Sequence, residues 1–470
     1  MPTSVSRRSL LASAALPHLA SGQSSRPRPN ILWLLAEDIG PQLGCYGEPL
    51  IQTPNLDRLA SQGARYTHAF TTAPVCSASR SALATGMYQT AIGAHNHRTF
   101  DKKPLPAPVR PMAEYLREAG YYTVLNAPPQ GRKGSAATGT GALGSGKTDY
   151  NFKARDPFDA SDWSGRASGQ PFFAQLTIQE SHKGVGWPLG RKLTPRIDPA
   201  KLQLPPYWPD HPIARDEYAN YLEAIQLVDR YAGEVLARLD REGIADNTLI
   251  FFLGDNGACT FRSKQFLYDG GIHVPLLVRY PGHIPAGEVR SRFVSGVDIT
   301  AATLAAAGVP VPAHLDGRDF LSAATPERSH VFAARDRCDI AVERMRCVRD
   351  RQFKYIKNYL PAIPYQQRNP YKEKEYPTWN LLKELKAAGK LNAVQALFTA
   401  PEKPLEELYD LAADPHEVNN LAGEPAHEKR LEAMRGLVLD WVAETHDHGA
   451  LLEDPVAVHR GYFGKGKGNK

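Results

Sequence analysis

Three places in the chain gather residues that could do chemistry. Residues 76–86 read Cys-Ser-Ala-Ser-Arg-Ser-Ala-Leu-Ala-Thr-Gly. The cysteine stands just before a helix-like run and Arg80 follows four residues later, so both side chains share one helix face. A thiol and a guanidinium then meet at a helix N-terminus, where free N–H groups and partial positive charge suit a tetrahedral anion. Gly86 supplies the stop. The other two places are Glu37-Asp38 and Asp255-Asn256-Gly257. Either one alone reads as a helix cap or a turn. Together they offer three carboxylates and an amide, an all-oxygen set that suits Ca²⁺, or less well Mg²⁺, and not zinc.

Such residues need a scaffold that brings them to one place. Short apolar runs at Asn30–Ala36, Tyr122–Leu125, Phe172–Ile178, Thr248–Leu253 and Val274–Val278 read as buried strands. Helix patterns lie between them at Asn55–Gly63, Pro111–Gly120 and Ala214–Gly243. The last keeps Tyr221, Ile225, Val228 and Val235 near helical spacing and ends at a glycine. This alternation predicts an α/β fold, a mostly parallel central sheet sandwiched by helices. Glu37-Asp38 follow the first strand, Glu180 and His182 the third, and Asp255-Asn256 the fourth. Open parallel sheets bind ligands beyond the carboxyl ends of their strands, so three polar clusters there imply one crevice. Beyond about residue 330 shorter β-like pieces appear at 329–333, 346–348 and 353–357, then a helix pattern over His427–Thr445. They predict a smaller C-terminal α+β domain.

The chain has 470 residues, 42% hydrophobic and 23% charged, which is the make-up of a globular enzyme. A net charge of +6 is mild and favours acidic substrates without pointing to nucleic acid. Five widely spaced cysteines form neither a disulfide framework nor a zinc cluster. Arg7-Arg8 before a short Ala/Leu-rich stretch is a twin-arginine export pattern, and no later segment has the roughly 20 apolar residues of a membrane span. The expected divisions are an export signal at 1–28, a catalytic domain at 29–330, the α+β domain at 331–455 and a flexible basic tail at 456–470. The destination is periplasmic or secreted. The Gly-rich stretch 127–146 reads as an inserted loop.

The Cys76–Gly86 segment resembles the signature of type I sulfatases, and the likeness runs from about Pro29 to Asp447. It implies an alkaline-phosphatase-like fold and conversion of Cys76 to Cα-formylglycine by a formylglycine-generating enzyme. It further implies calcium held by Glu37, Asp38, Asp255 and Asn256, with residue 76 also touching the ion. Lys264, in Lys-x-x-x-Tyr-Asp-Gly-Gly-x-x-Val-Pro, and Lys147 match family lysines that face the sulfate beside Arg80. His182, in Gln-Glu-Ser-His-Lys, matches the histidine that protonates the leaving group. Most relatives have Asp at position 37, and many carry His where this chain has Asp149. The base that releases sulfate is therefore open among Asp149, His95 and His97, which are also candidate substrate contacts.

The implied mechanism is covalent: a hydroxyl of hydrated formylglycine attacks sulfur, and the second hydroxyl then expels sulfate. Tyr221–Asn256, Arg346–Lys357, Glu407–Asn420 and Glu444–Asp447 are similar to sulfamidase, the heparan N-sulfatase. They imply a sulfated, heparan-type saccharide as substrate, cleaved at N- or O-sulfate. The alternatives are a phosphonate or phosphodiester hydrolase of the same superfamily, and a silent glycan-binding protein in which Cys76 stays a thiol.

Overall fold

The computed structural model describes residues 27–100, 102–127, 144–145, 147–184, 186–451 and 453–463. Most of the expected export signal, nearly all of the Gly-rich insertion and the Gly464–Lys470 tail lie outside the described residues.

Eight strands make the main sheet: β1 (Asn30–Ala36), β2 (Ala64–Phe70), β3 (Tyr122–Ala127), β4 (Gly144–Ser145), β5 (Phe172–Ile178), β6 (Thr248–Gly254), β7 (Leu276–Arg279) and β8 (Glu288–Ser295). Their order is β4-β3-β5-β1-β6-β7-β2-β8. β3, β5, β1 and β6 are parallel neighbours, while β7 runs antiparallel to β6 and β2. The sheet is thus mixed with a parallel centre.

Period-two burial explains why these runs are strands. In β1, Leu32, Leu34 and Ala36 enter one apolar cluster while Ile31, Trp33 and Leu35 enter the cluster on the opposite face. A strand buried on both faces must be apolar throughout. The 30-residue helix Pro212–Arg241 covers the first face through Tyr221, Leu222, Ile225 and Val228. The helices Met112–Glu118 and Gly296–Ala306 supply Met112, Leu116, Ile299 and Leu304 to the second.

A second, antiparallel sheet follows in the order β12-β11-β10-β9, built from β9 (Val331–Arg335), β10 (Met345–Arg349), β11 (Phe353–Asn358) and β12 (Glu406–Asp410). The helix Glu428–Glu444 packs on it through Leu431, Met434 and Val438. Three short helices between Pro370 and Phe398 intervene between β11 and β12. The chain between Pro455 and Phe463 is helical rather than a loose tail. Pro455 opens the helix, and the Val456 N–H donates to Asp454 Oδ1 at 2.9 Å. Among the described residues no helix is long and apolar enough to cross a membrane.

The loop from Asp255 to Pro275 joins the two sheets. Lys354 Nζ on β11 reaches Asp269 at 2.5 Å and Glu417 at 2.7 Å, and Tyr268 Oη donates to Glu407 at 3.0 Å. Lys372 Nζ, buried, donates to the carbonyls of Thr260, Phe261 and Lys264 at 2.8–3.2 Å. Gly271 closes the loop by close approach, since a Cβ there would lie 2.0 Å from the Phe266 carbonyl and 2.3 Å from that of Ser263. Gly271→Ala is therefore expected to cost about 1–3 kcal/mol and to lower the melting temperature. Unchanged melting would show that the loop is not locked at this point.

Candidate active site

The site grows from the carboxyl ends of β1, β5 and β6. Asp38 takes a left-handed backbone (φ 54°), an uncommon conformation for a non-glycine that surrounding contacts must hold. Its N–H donates to Asp255 Oδ1 at 3.0 Å, and its Oδ1 accepts from Asn256 Nδ2 at 3.0 Å. Its Oδ2 accepts from Lys264 Nζ at 2.6 Å and from the Cys259 thiol at 3.1 Å. Burial would raise this carboxyl, but Lys264 and His182 hold it well below its ordinary range.

Cys76 is the first residue of the helix Cys76–Thr85, with extended Val75 before it and Gly86 closing the far end at φ 69°. Its side chain is fully buried, and Sγ lies 3.5 Å from Asp38 Oδ1. Burial pushes the thiol well above its ordinary value. An unmodified Cys76 stays protonated at neutral pH and is a poor nucleophile.

One turn on, Arg80 fans its guanidinium across the strand ends. Nε donates to Asp255 Oδ2 at 2.8 Å, and one terminal nitrogen donates to Thr177 Oγ1 at 3.0 Å and to the Lys147 carbonyl at 3.2 Å. The other donates to Glu37 Oε1 at 3.3 Å. Lys147 Nζ meets the same Glu37 oxygen at 2.9 Å and Asp149 at 3.5 Å. Against its burial, Lys147 and Arg80 hold the Glu37 carboxyl below its usual range.

His182 follows β5. Its Nδ1 lies 2.7 Å from the Lys183 carbonyl, which can only accept, so Nδ1 carries a proton. Nε2, 3.7 Å from Asp38 Oδ2, is left as the nitrogen that can take and give a proton. Burial and Lys264 lower its affinity for that proton.

Asp149, at φ 52°, is gripped by Arg98 at 2.9–3.3 Å as well as by Lys147. Although burial opposes it, Arg98 and Lys147 keep this carboxyl far below the carboxylate range, so it is a weak base. His97 is buried with Nδ1 3.3 Å from Asp339 Oδ1. One ligand atom each from Cys76, His97 and Asp149 lies within 4.8 Å of the others, as does the set Asp38, Cys76 and His182. Position 76 thus lies near two histidines. His95 is not brought to this group: it lies buried beside Arg346, Asp447 and His448 and lines a separate cavity.

The residues fit the hard cation expected from the sequence. Glu37, Asp38, Asp255 and Asn256 are all buried, and Asn256 Oδ1 has no hydrogen-bond partner among the described residues. Burial pushes the Asp255 carboxyl up, and Glu37 and Asp38 add to this although Arg80 opposes it. A divalent cation held by these oxygens would offset part of that negative charge. Glu37 and Asp255 spend part of their capacity on Arg80, whereas Asp38 faces Cys76 directly.

Several neighbours escaped the sequence reading. Thr177 is the sixth residue of an ordinary-looking strand, and Asp339, Tyr371 and Lys372 come from a stretch with no motif. Tyr371 stands 5.4 Å from Lys264 Nζ and 6.2 Å, ring to ring, from His182. Arg98 did carry a signal, since it closes Gly93-Ala-His-Asn-His-Arg98.

Comparison with known proteins agrees with this arrangement. Residues 29–309 match the family described as Sulfatase, and residues 257–369 match the C-terminal region described as N-sulphoglucosamine sulphohydrolase. The chain is 33% identical to an ulvan-active sulfatase of Formosa agariphila, over 91% of this chain and 77% of that protein. It is 29% identical to human N-sulphoglucosamine sulphohydrolase, over 92% and 93% of the two chains. A solved structure in complex with its substrate D-glucosamine-2-N,6-O-disulfate shares the fold, with a TM-score of 0.62 at 18% identity over 89% of this chain and 98% of that one. The phosphonate monoester hydrolase of Agrobacterium radiobacter shares it equally, with a TM-score of 0.62 at 20% identity over 89% and 96%. With a family match spanning more than half of the chain and a relative 33% identical over 77% of its own length, this chain belongs to the sulfatase family.

Proposed function

We propose that the protein is a sulfuric ester hydrolase that removes sulfate, as O- or N-sulfate, from heparan-type saccharides, with Cys76 converted to Cα-formylglycine. One observation carries this reading. Cys76 is a fully buried, non-nucleophilic thiol at a helix N-terminus, ringed by Arg80, Lys147 and Lys264 and flanked by two histidines. Such a pocket suits a tetrahedral anion. A thiol contributes little to it, whereas a hydrated aldehyde supplies an oxygen nucleophile. The sulfatase relatives support the same reading, one named for ulvan and one for N-sulphoglucosamine.

The roles follow from the contacts. Arg80, Lys147 and Lys264 face the sulfate oxygens and stabilise charge that grows as the bond to sulfur lengthens. Because each is already held by a carboxylate, little reorganisation is needed at that moment. His182 Nε2, once it has taken up a proton, hands it to the departing oxygen or nitrogen. His97, oriented by Asp339 and close to position 76, accepts the proton of the second hydroxyl when sulfate leaves. Asp149 instead fixes Arg98 and Lys147. Calcium, when bound by Glu37, Asp38, Asp255 and Asn256, supplies further positive charge that polarises a sulfate oxygen.

The peptide spanning Cys76, taken from protein made beside a formylglycine-generating enzyme, should have the mass of an aldehyde in place of the thiol. Sulfate release from a panel of N-, 6-O- and 2-O-sulfated glucosamine saccharides, an aryl sulfate and a phosphodiester should favour a saccharide. An active protein with an intact thiol, or one that prefers the phosphodiester, overturns the reading. His182→Ala should slow a saccharide, whose leaving group needs a proton, by about 10²-fold or more. It should slow an aryl sulfate, whose phenolate leaves unaided, much less; equal losses would remove the acid role. Chelation with EDTA should abolish turnover and added Ca²⁺ should restore it more fully than Mg²⁺, whereas unaffected turnover would exclude a required cation.

A further inference from the structure

The Cys76 thiol has a chemistry of its own, apart from its conversion to an aldehyde. Cys76 Sγ, a carboxylate oxygen of Asp38 and a ring nitrogen of His182 lie within 4.8 Å of one another. Sγ is 3.5 Å from Asp38 Oδ1, and His182 Nε2 is 3.7 Å from Asp38 Oδ2. Around a tetrahedral zinc ion, with Zn–S of about 2.3 Å and Zn–N and Zn–O of about 2.0–2.2 Å, ligand atoms stand roughly 3.3–3.6 Å apart. Three donors of suitable types are therefore already spaced close to what that ion needs. Sequence spacing hides the set, because its members come from the ends of β1 and β5 and from the first residue of a helix.

The surroundings prepare these ligands. His182 Nδ1 donates to the Lys183 carbonyl at 2.7 Å, which leaves the Nε2 lone pair available. Metal-bound histidines have this outer-shell arrangement, the second ring nitrogen being fixed by a carbonyl or carboxylate. On Asp38, Lys264 and Cys259 both engage Oδ2, while Oδ1 accepts from Asn256 Nδ2 and from the Cys76 thiol. A metal ion between Sγ and Oδ1 takes the place of the thiol proton that now bridges them. The thiolate and the carboxylate then carry two negative charges, which offset the ion against the ammonium of Lys264. The other set near position 76, with His97 and Asp149, is less suited, since Arg98 engages both oxygens of Asp149 and Lys147 adds to this. Cys76 and Asp38 are buried, whereas the His182 side chain is 24% exposed, giving an ion a way in and water a fourth position.

We propose that the unconverted chain, with Cys76 as a thiol, binds one zinc ion through Cys76 Sγ, His182 Nε2 and Asp38 Oδ1. On binding, the S–H bond breaks, an S–Zn bond forms and the proton passes to solvent, as for any coordinating thiol. Nothing is oxidised or reduced. The inference goes beyond the sulfatase reading and does not depend on it. Conversion of Cys76 removes the sulfur and leaves oxygen in its place, so a set that favours zinc becomes one that favours a hard cation. Asp38 belongs to both sets, and maturation thereby changes which ion the crevice takes.

The test uses the full chain made without a formylglycine-generating enzyme, its Cys76 thiol confirmed by peptide mass. Zn²⁺ titrated in competition with a chromophoric chelator should bind at one ion per chain. Co²⁺ in its place should give thiolate-to-metal charge-transfer absorption. Loss of an outer-shell partner alone costs roughly 10–100-fold in metal affinity, so Cys76→Ser and His182→Ala should each weaken Zn²⁺ by about 100-fold or more. Cys76→Ser, a near-isosteric change that should fold, should also abolish the charge-transfer band. Cys45→Ala, which removes a thiol outside this set, should change neither. Absence of zinc uptake, cobalt bound without the thiolate band, or Zn²⁺ held as tightly by Cys76→Ser overturns the site. Converted protein that keeps the zinc affinity of the thiol form overturns it as well. Each of these leaves the sulfatase reading standing, which fails separately if converted protein releases no sulfate.

Discussion

Burying three carboxylates where two neighbouring strands end is the constraint around which this molecule is built. Glu37, Asp38 and Asp255 are each at most 1% exposed. A lone carboxylate in such a place costs several kcal/mol, so its cations must be as well fixed as the carboxylates themselves. Arg80 meets this demand because its planar fork reaches Asp255, Glu37, Thr177 and the Lys147 carbonyl together, which a lysine's single point charge does not. Lys264 does the same for Asp38 from a loop that Lys372 and Gly271 hold closed. The second sheet thus acts on the chemistry at a distance, by clamping the loop that delivers Lys264.

The charges nearest position 76 balance. Glu37, Asp38, Asp149 and Asp255 are matched by Arg80, Arg98, Lys147 and Lys264, and both flanking histidines are biased toward neutrality. An arriving sulfate adds negative charge to a set already in balance. The helix N-terminus offers only a partial charge. On the reading proposed above, a divalent ion held among the oxygens would supply the remainder.

Much of this was legible in the sequence because it obeys short-range rules. Strands buried on both faces are continuous apolar runs, so β1, β5 and β6 stood out, and the polar pairs that end them marked the crevice. β2 and β8 did not stand out. β8 is the edge strand and β2 lies beside it, and their sequences Glu-Val-Arg-Ser-Arg-Phe-Val-Ser and Ala-Arg-Tyr-Thr-His-Ala-Phe mix polar residues into the apolar pattern. Thr177, Asp339 and Tyr371 were illegible for another reason. Their roles come from tertiary proximity across wide sequence separations, and their types are ordinary for a strand, a turn and a helix. Among the three candidate bases, sequence could not separate His95 from His97, two residues apart. Backbone direction separates them, turning one toward Asp339 and the other toward Asp447 and Arg346.

Asp149 shows how a carboxylate's neighbours decide what it can do. A carboxylate beside Lys147 could not serve as a proton acceptor while paired with Arg98, and its φ of 52° is kept by those same contacts. What it does is hold Arg98 still, and Arg98 in turn donates its N–H to Ser77 Oγ at the start of the Cys76 helix. Asp149 is thus a brace, and the imidazole that the loop 93–99 brings near position 76 is His97, held by Asp339.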